Sequence, residues 1–281
     1  MPVDTYKSQN RGGRGIKGMS TNDDDIVDSM INMNTHDDLL FFTNLGKVYR
    51  LKGYNVPEYG RTAKGLPVVN LLNLDKDETV KSMISIDKDK IDDEKELFLF
   101  FVTLKGIVKK TPLDEFRRIR QSGKIAIGLR EDDELVSVKI MCDDDQILIA
   151  ASNGKLIRFA GKDIRSMSRV ASGVRGINVD GSKVIGMTTD YEGQYIMAIS
   201  ENGYGKMSSI DEYRISHRGG KGVKTINTTE KTGNLVAIRA VNGNEDLLII
   251  TSLGIIIRLP MEQVKMAGRS TQGVRLIKVT D

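Results

Sequence analysis

The chain repeats itself. A segment of the form Gly-x-x-x-apolar-x-apolar, with threonine allowed at the apolar places, occurs as GIKGMST from Gly15, GLPVVNL from Gly65, GKIAIGL from Gly123, GVRGINV from Gly173, GVKTINT from Gly222 and GVRLIKV from Gly273. Successive first glycines stand 50, 58, 50, 49 and 51 residues apart. One or two such segments arise by chance; six in near-register do not.

Two further elements keep the same period. LLFFTNLGKVYRL, LFLFFVTLKGIVKK, ILIAASNGKLIRF, YIMAISENGYGKM and LLIITSLGIIIRL surround Gly46, Gly106, Gly154, Gly203 and Gly254. Each is an apolar β-rich run, a Gly-containing turn and a second run, which is a hairpin signal. DIVDSMINM, ETVKSMISI, DELVSVKIM, SKVIGMTTD and GNLVAIRAV are short strands entered from acidic or Gly/Asn turns. About four strands per 50 residues cannot bury both faces alone, so the units must stack radially or as a solenoid. The expectation is an all-β, six-bladed, propeller-like ring, which also protects its sheet edges. The glycine segment occurs six times and the other two elements five times. Five blades are therefore complete and one is incomplete, a single domain over residues 1–281 with a partial first blade at 1–24; either the sequence is cut inside that blade or its two ends share it. Segments 114–121, 162–167, 209–215 and 261–266, after the hairpins, are too short for more than one helical turn.

Composition removes several function classes. The lone Cys142 excludes an intrachain disulfide framework and a thiolate zinc knot. Only His36 and His217 are present, so His-based chemistry is not expected. No stretch approaches 18 apolar residues and the N-terminus has no apolar signal, so a membrane span or secretory signal is not expected and the cytoplasm is. The absence of Trp argues against Trp-Asp repeats, and the di-glycine and aromatic pattern of kelch-like blades is not repeated.

Charge is patterned although its sum is small: 42 Lys and Arg against 38 Asp and Glu leave a formal +4. Acidic clusters (23–25 with Asp28, 87–96, 131–134, 143–145) surround the third strand. Basic residues follow or flank the hairpin glycines: Lys47, Arg50 and Lys52; Lys105, Lys109 and Lys110; Lys155 and Arg158; Lys206; Arg258. Four residues before the first-type glycine stands an arginine in five of six units, Arg11, Arg61, Arg169, Arg218 and Arg269; the exception is Ile119, with Arg120 beside it. A cation at fixed phase in a ring makes a charged rim suited to a polyanion. Solvated loops of both signs are the alternative. Within Gln9-Asn10-Arg11-Gly12-Gly13-Arg14-Gly15, followed by Lys17, paired glycines let backbone approach a phosphate while Arg11 and Arg14 offer bidentate donors. A left-handed turn alone is the competing explanation of Gly12 and Gly13. Residues 216–222, with Arg218 and Lys221, echo this segment. Neither copy is a P-loop, and the acidic clusters sit at turns rather than as a metal-ligand set.

With QNRGGRG (9–15), EYGRTAKG (58–65, containing Lys64), LREDDELV (129–136) and TQGVRLIKV (271–279), the chain resembles the C-terminal domain of the A-type chain of bacterial DNA gyrase over essentially its whole length. The resemblance implies a β-pinwheel, in which neighbouring blades exchange outer strands, and a disc that wraps double-stranded DNA around a basic rim. It further implies a monomeric domain without cofactor, metal or catalytic residues of its own. Its partners would be the rest of the gyrase A protein and, through it, the gyrase B protein of an A2B2 ATP-dependent type IIA topoisomerase that introduces negative supercoils near the bacterial nucleoid. Six positions of 9–15 match the family's box; Asn10 departs where Arg or Lys is usual. The expected DNA-contacting set is therefore the box with Lys17, together with Lys47, Arg50, Arg61, Lys64, Lys109, Lys110, Arg120, Lys155, Arg158, Arg169, Lys206, Arg218, Lys221, Arg258 and Arg269. A protein-binding propeller, an enzyme with a central-channel site and the topoisomerase IV counterpart domain are the other classes in play.

Overall fold

Each hairpin begins with a strand that is apolar on both faces, and the reason is visible in the packing. The structure is a computed structural model and describes residues 16–17, 30–60, 63–86, 96–120, 122–251 and 255–279. Strand β1 (Ile16–Lys17) is followed by a hairpin of β2 (Asp38–Thr43) and β3 (Lys47–Lys52), then by β4 (Val80–Ile86). The second unit has β5 (Phe98–Thr103), β6 (Ile107–Pro112), β7 (Lys124–Ile125) and β8 (Leu135–Met141). The third has β9 (Gln146–Ala151), β10 (Lys155–Ala160), β11 (Val174–Arg175) and β12 (Val184–Thr189). The fourth has β13 (Tyr195–Ser200), β14 (Tyr204–Ser209), β15 (Val223–Lys224) and β16 (Leu235–Val241), and the last has β17 (Asp246–Ile250), β18 (Ile255–Pro260) and β19 (Val274–Arg275). No α-helix occurs among the described residues; 113–116, 161–163, 210–212 and 261–263 form single 3-10 turns after the hairpins.

The sheets do not follow the sequence units. Their strand orders are β4-β2-β3-β7, β8-β5-β6-β11, β12-β9-β10-β15, β16-β13-β14-β19 and β17-β18-β1. Every two-residue outer strand from β7 onward thus comes from the unit after the hairpin it joins. The N-terminal β1 supplies the outer strand of the C-terminal hairpin, with Ile16 opposite Ile256 and Lys17 opposite Ile255. The all-β, propeller-like architecture expected from the repeat is the one observed, and the exchange of outer strands is present. The five described sheets are blades I to V here; the partial blade expected at 1–24 lies outside the described residues except for β1.

Four of the five apolar cores lie between neighbouring blades; the fifth packs Leu39, Phe41 and Tyr49 of blade I against Leu72 of its own loop. Leu40, Phe42 and Val48 of blade I meet Leu99 and Phe101 of blade II. Phe100, Val102 and Val108 of blade II meet Ile147, Ile149 and Phe159 of blade III. The alternating residues of one strand therefore face different neighbours, so both faces are buried and the first strand of each hairpin reads as a nearly continuous apolar run. The third strands β4, β8, β12 and β16 pack around the axis and line a cavity of about 550 Å3. The exchanged strands are consequently outermost.

Candidate nucleic-acid interface

The outer edge is built by two glycines per joint. In blade II, Gly106 turns the hairpin at φ +82°, and its carbonyl accepts the N–H groups of Gly176 (2.8 Å) and Ile177 (3.2 Å) just after β11. A Cβ on Gly106 would lie 2.5 Å from the Ile177 carbonyl oxygen. Gly173, at φ +90° just before β11, would place a Cβ 2.3 Å from the Val108 carbonyl oxygen. The repeated glycines are there because the exchanged strand lies directly on the hairpin that receives it, at left-handed backbone angles.

Each exchanged strand pairs through two residues: Val174 with Val108 and Arg175 with Ile107, Val223 with Leu156 and Lys224 with Lys155, Val274 with Gly205 and Arg275 with Tyr204. Successive side chains in a strand point to opposite faces. The valines turn towards the core, and Arg175, Lys224 and Arg275 are exposed. In blade I the same place is taken by Ile125, 49% exposed. A second row comes from the approaching chain, which bridges the receiving hairpin at Ser166 (to Lys110), Ile215 (to Arg158) and Met266 (to Met207). The residue just before each bridge is an exposed cation: Arg165, Arg214 and Lys265. None of these six cations has a carboxylate partner among the described residues; Arg275 instead bonds the Tyr204 hydroxyl (2.9 Å) and Lys224 the Asn227 side chain (3.0 Å). Sequence reasoning missed all six, although GVRG, GVKT and GVRL carry the first row at a fixed place.

Three residues expected on the rim are interior. Lys109 and Lys206 are 0% exposed and Lys110 is 2% exposed. Lys109 and Lys206 sit three residues after the hairpin glycine, where other units have Tyr49, Ile157 and Ile257; the strand alternation turns that place inward. Lys109 donates to the carbonyls of Ala126 (2.5 Å), Ser168 (3.2 Å) and Arg169 (2.6 Å), and its ammonium lies 4.9 Å from the centre of the Phe101 ring. Lys206 donates to Ser208 Oγ (2.6 Å) and the Gly268 carbonyl (2.8 Å). Lys110 pairs with Asp143 and covers the Phe98 ring. Buried ammonium groups survive only with such partners.

Burial pushes Lys109 down to about 7 and Lys206 to about 8, from an ordinary 10.5. From pH 7 to about 10 the unfolded chain binds a proton at Lys109 that the folded chain does not, so stability rises with pH there. Urea unfolding of the parent should therefore gain up to about 1.4 kcal/mol per pH unit relative to Lys109→Met over this window. Parallel pH profiles for the two would overturn the assignment.

The other expected residues are distributed as follows. Arg50 is exposed and donates to the Arg117 carbonyl (3.1 Å). Half-buried Arg158 is held by Gln146 Oε1 (2.6 Å) and by the carbonyls of Ile210 (2.7 Å) and Tyr213 (3.1 Å), fastening the 3-10 turn 210–212 after the following hairpin rather than facing out. Lys47 pairs with Asp75, and Arg258 with Asp246. Lys155 and Lys221 both face Asp180, at 3.8 and 3.0 Å. Lys64 and Arg120 are exposed. Arg169, Arg218 and Arg269 each reach a backbone carbonyl of the preceding outer strand. Residues 9–15 and Arg61 lie outside the described residues, as does the side chain of Lys17. Two acidic residues of the third-strand approach are buried and structural: Glu78 accepts from Thr43 (2.6 Å) and Tyr49 (2.8 Å), and Asp133 from Thr103 (2.6 Å). Among the described residues no three His, Cys, Asp or Glu side chains are grouped to hold a metal, and no helix is long and apolar enough to cross a membrane.

Blades that pass their outer strands backwards, with basic side chains repeated on that outer edge, define a strand-exchanging β-propeller with a cationic rim. The chain belongs to the DNA gyrase C-terminal domain family: the family model described as "DNA gyrase C-terminal domain, beta-propeller" matches residues 1–32, 37–87, 98–140, 145–189, 194–242 and 245–281, six repeats. The DNA gyrase A protein of Staphylococcus epidermidis (strain ATCC 12228) is 48% identical over 284 residues, covering all of this chain and 32% of the relative. Its counterpart from Staphylococcus aureus (strain NCTC 8325) is 46% identical with the same coverage. The chain thus spans about a third of the length of these relatives. Among solved structures, a DNA gyrase A C-terminal domain superposes with a TM-score of 0.88 at 24% identity, covering 100% of this chain and 92% of that one. A C-terminal domain of DNA topoisomerase IV gives 0.74 at 22% identity, over 89% of this chain and 78% of that one.

Proposed function

We propose that this domain binds duplex DNA without sequence preference and wraps it with one hand around its outer edge, as the wrapping element of a DNA gyrase A protein. The observation that carries the reading is the pair of rows, Arg165, Arg214 and Lys265 with Arg175, Lys224 and Arg275, at two fixed places in consecutive blades. Cations at such intervals suit phosphates, which position a duplex, rather than base edges, which specify it. Residues 1–281 act as one domain, with the box at 9–15 contributing further phosphate donors. In the whole enzyme the rest of the gyrase A protein and the gyrase B protein supply cleavage and ATP hydrolysis in the cytoplasm, and the wrap turns strand passage into negative supercoiling. The rim set proposed from sequence changes accordingly: Lys109, Lys110, Lys206 and Arg158 hold the fold, and the six exposed cations replace them.

The test is plasmid topology. Relaxed plasmid is incubated with the domain, treated with a relaxing topoisomerase and deproteinised. A linking-number change that grows with protein and collapses with salt supports wrapping; binding without a linking change would overturn it. Counterion release gives a slope of log affinity against log salt of about −0.9 per phosphate contact. Arg175→Ala, Lys224→Ala and Arg275→Ala together should therefore flatten that slope by about 2.7 on a short duplex. An unaltered slope would remove the first row from the interface.

A further inference from the structure

The recurring arginine four residues before the first-type glycine does something that its periodicity alone does not reveal. Arg218 Nη1 donates to the carbonyl of Arg175 (3.0 Å), Arg269 Nη1 to that of Lys224 (2.9 Å) and Arg169 Nη1 to that of Ile125 (2.8 Å). In each case the acceptor is the second residue of the preceding outer strand, the same residue whose side chain occupies the first rim row. Each bond crosses a joint. Arg218 leads into β15 on blade III and grips β11 on blade II; Arg269 leads into β19 on blade IV and grips β15 on blade III. A backbone bond runs the other way at every one of these joints: Gly128 N–H to the Ala171 carbonyl (3.1 Å), Asn178 to Gly220 (2.9 Å) and Asn227 to Thr271 (3.0 Å).

We propose that Arg218 and Arg269 are positioning residues: each fixes the backbone from which the neighbouring blade's rim cation projects, and together they set the step from blade to blade along the DNA path. This rests on the DNA-wrapping reading and refines it. A carbonyl on an exposed outer strand has no further strand to pair with, and a planar guanidinium held by one Nη is well suited to reach it across a joint without losing its charge. Fixing that peptide fixes the direction in which Arg175 or Lys224 leaves the strand. The one unit without the arginine fits the same logic. Ile119 has no side-chain donor to offer, the corresponding residue of the preceding segment is Pro67 rather than a cation, and the Pro67 carbonyl instead accepts Asn70 N–H (3.0 Å) within a 3-10 turn. Grip and gripped cation are both missing there. A wrap requires cations at the right pitch as well as in the right number, so loss of the grip should act on geometry more than on charge neutralisation.

Three pairs of variants of the 281-residue chain distinguish the possibilities, each read by salt-dependent anisotropy on a short duplex and by plasmid linking number. Arg218→Ala with Arg269→Ala should lower the linking change at saturating protein at least about fivefold while flattening the salt slope by less than the value of one contact, about 0.9. Arg218→Lys with Arg269→Lys, which keeps both charges and disturbs folding least, should leave the slope unchanged without restoring the linking change, because an ammonium on a flexible stem is less pre-organised than the planar guanidinium to hold the carbonyl across the joint. A slope flattened by about 1.8 in the alanine pair, with both readouts restored by lysine, would overturn the inference and make the arginines ordinary phosphate ligands. Arg175→Ala with Lys224→Ala is the comparator and should flatten the slope by about 1.8. No change there would overturn the rim reading itself, and the positioning role with it.

Discussion

Gly106→Ala is expected to lower the melting temperature by roughly 10 °C, whereas Gly65→Ala, with the same backbone sign, costs about a third of that. Both glycines have positive φ, +82° and +78°, so both substitutions incur the left-handed penalty of about 1 kcal/mol. They differ in what the new methyl meets. At Gly65 nothing lies within 4 Å, but at Gly106 the Ile177 carbonyl oxygen is 2.5 Å away and Ile177 Cγ2 2.8 Å. That carbonyl belongs to the chain just beyond β11, which is bound to Gly106 through two N–H groups, so it cannot retreat without breaking the joint. Loss of one hydrogen bond and a forced backbone shift bring the total to about 4 kcal/mol, a large share of the stability of a typical domain. Differential scanning calorimetry of the two variants checks this. Equal losses would mean that the glycines are selected for turn conformation alone and that close approach of the exchanged strand contributes nothing.

The same joint explains which parts of the molecule could be read from the sequence. The hairpins and third strands were legible because their signals are local: an apolar run, a turn glycine, a second run. The glycine segments were legible as a repeat, but the hairpin that each one joins is not a local property. Val174 pairs with Val108, across an entire intervening hairpin, and the exchange itself entered only with the family resemblance. The rim expected from sequence differs from the observed one through strand phase. Lys109 and Lys206 look like surface charges when basic residues are simply counted, but their column also holds Tyr49, Ile157 and Ile257, and those apolar neighbours mark the place as interior. Conversely, Arg175, Lys224 and Arg275 lie inside a motif defined by its apolar positions, so their own alternation went unread. One step of period two from the inward valine is enough to find them. Arg165, Arg214 and Lys265 have no such local signal; only the bridges beside the receiving hairpin locate them on the edge.

Arg11→Ala with Arg14→Ala is expected to remove most of the linking change while lowering affinity for a short duplex only by the loss of two phosphate contacts. Bending about 40 base pairs through roughly 180° costs on the order of 10 kcal/mol, by extension of elastic estimates for smaller bends. On the proposed wrapping reading no single arginine offsets that, so the rim cations would act together, and the wrap would be most easily undone where its ends are free. Residues 9–15 lie outside the described residues, but the two that follow them do not. Ile16 and Lys17 form β1 on β18, so the two residues that directly follow the box in sequence pair with the C-terminal hairpin. On the proposed wrapping reading, the phosphate donors of the box are the contact that holds the DNA at an end of its path. Removing two of them leaves the rows on blades II to IV intact, so a duplex too short to wrap should notice only a salt slope flattened by about 1.8. A plasmid, by contrast, loses the contact that opposes the elastic recoil, and its linking change should fall out of proportion to the binding. A proportional loss in both assays would mean that the box is one more rim contact among many and does not fasten the wrap.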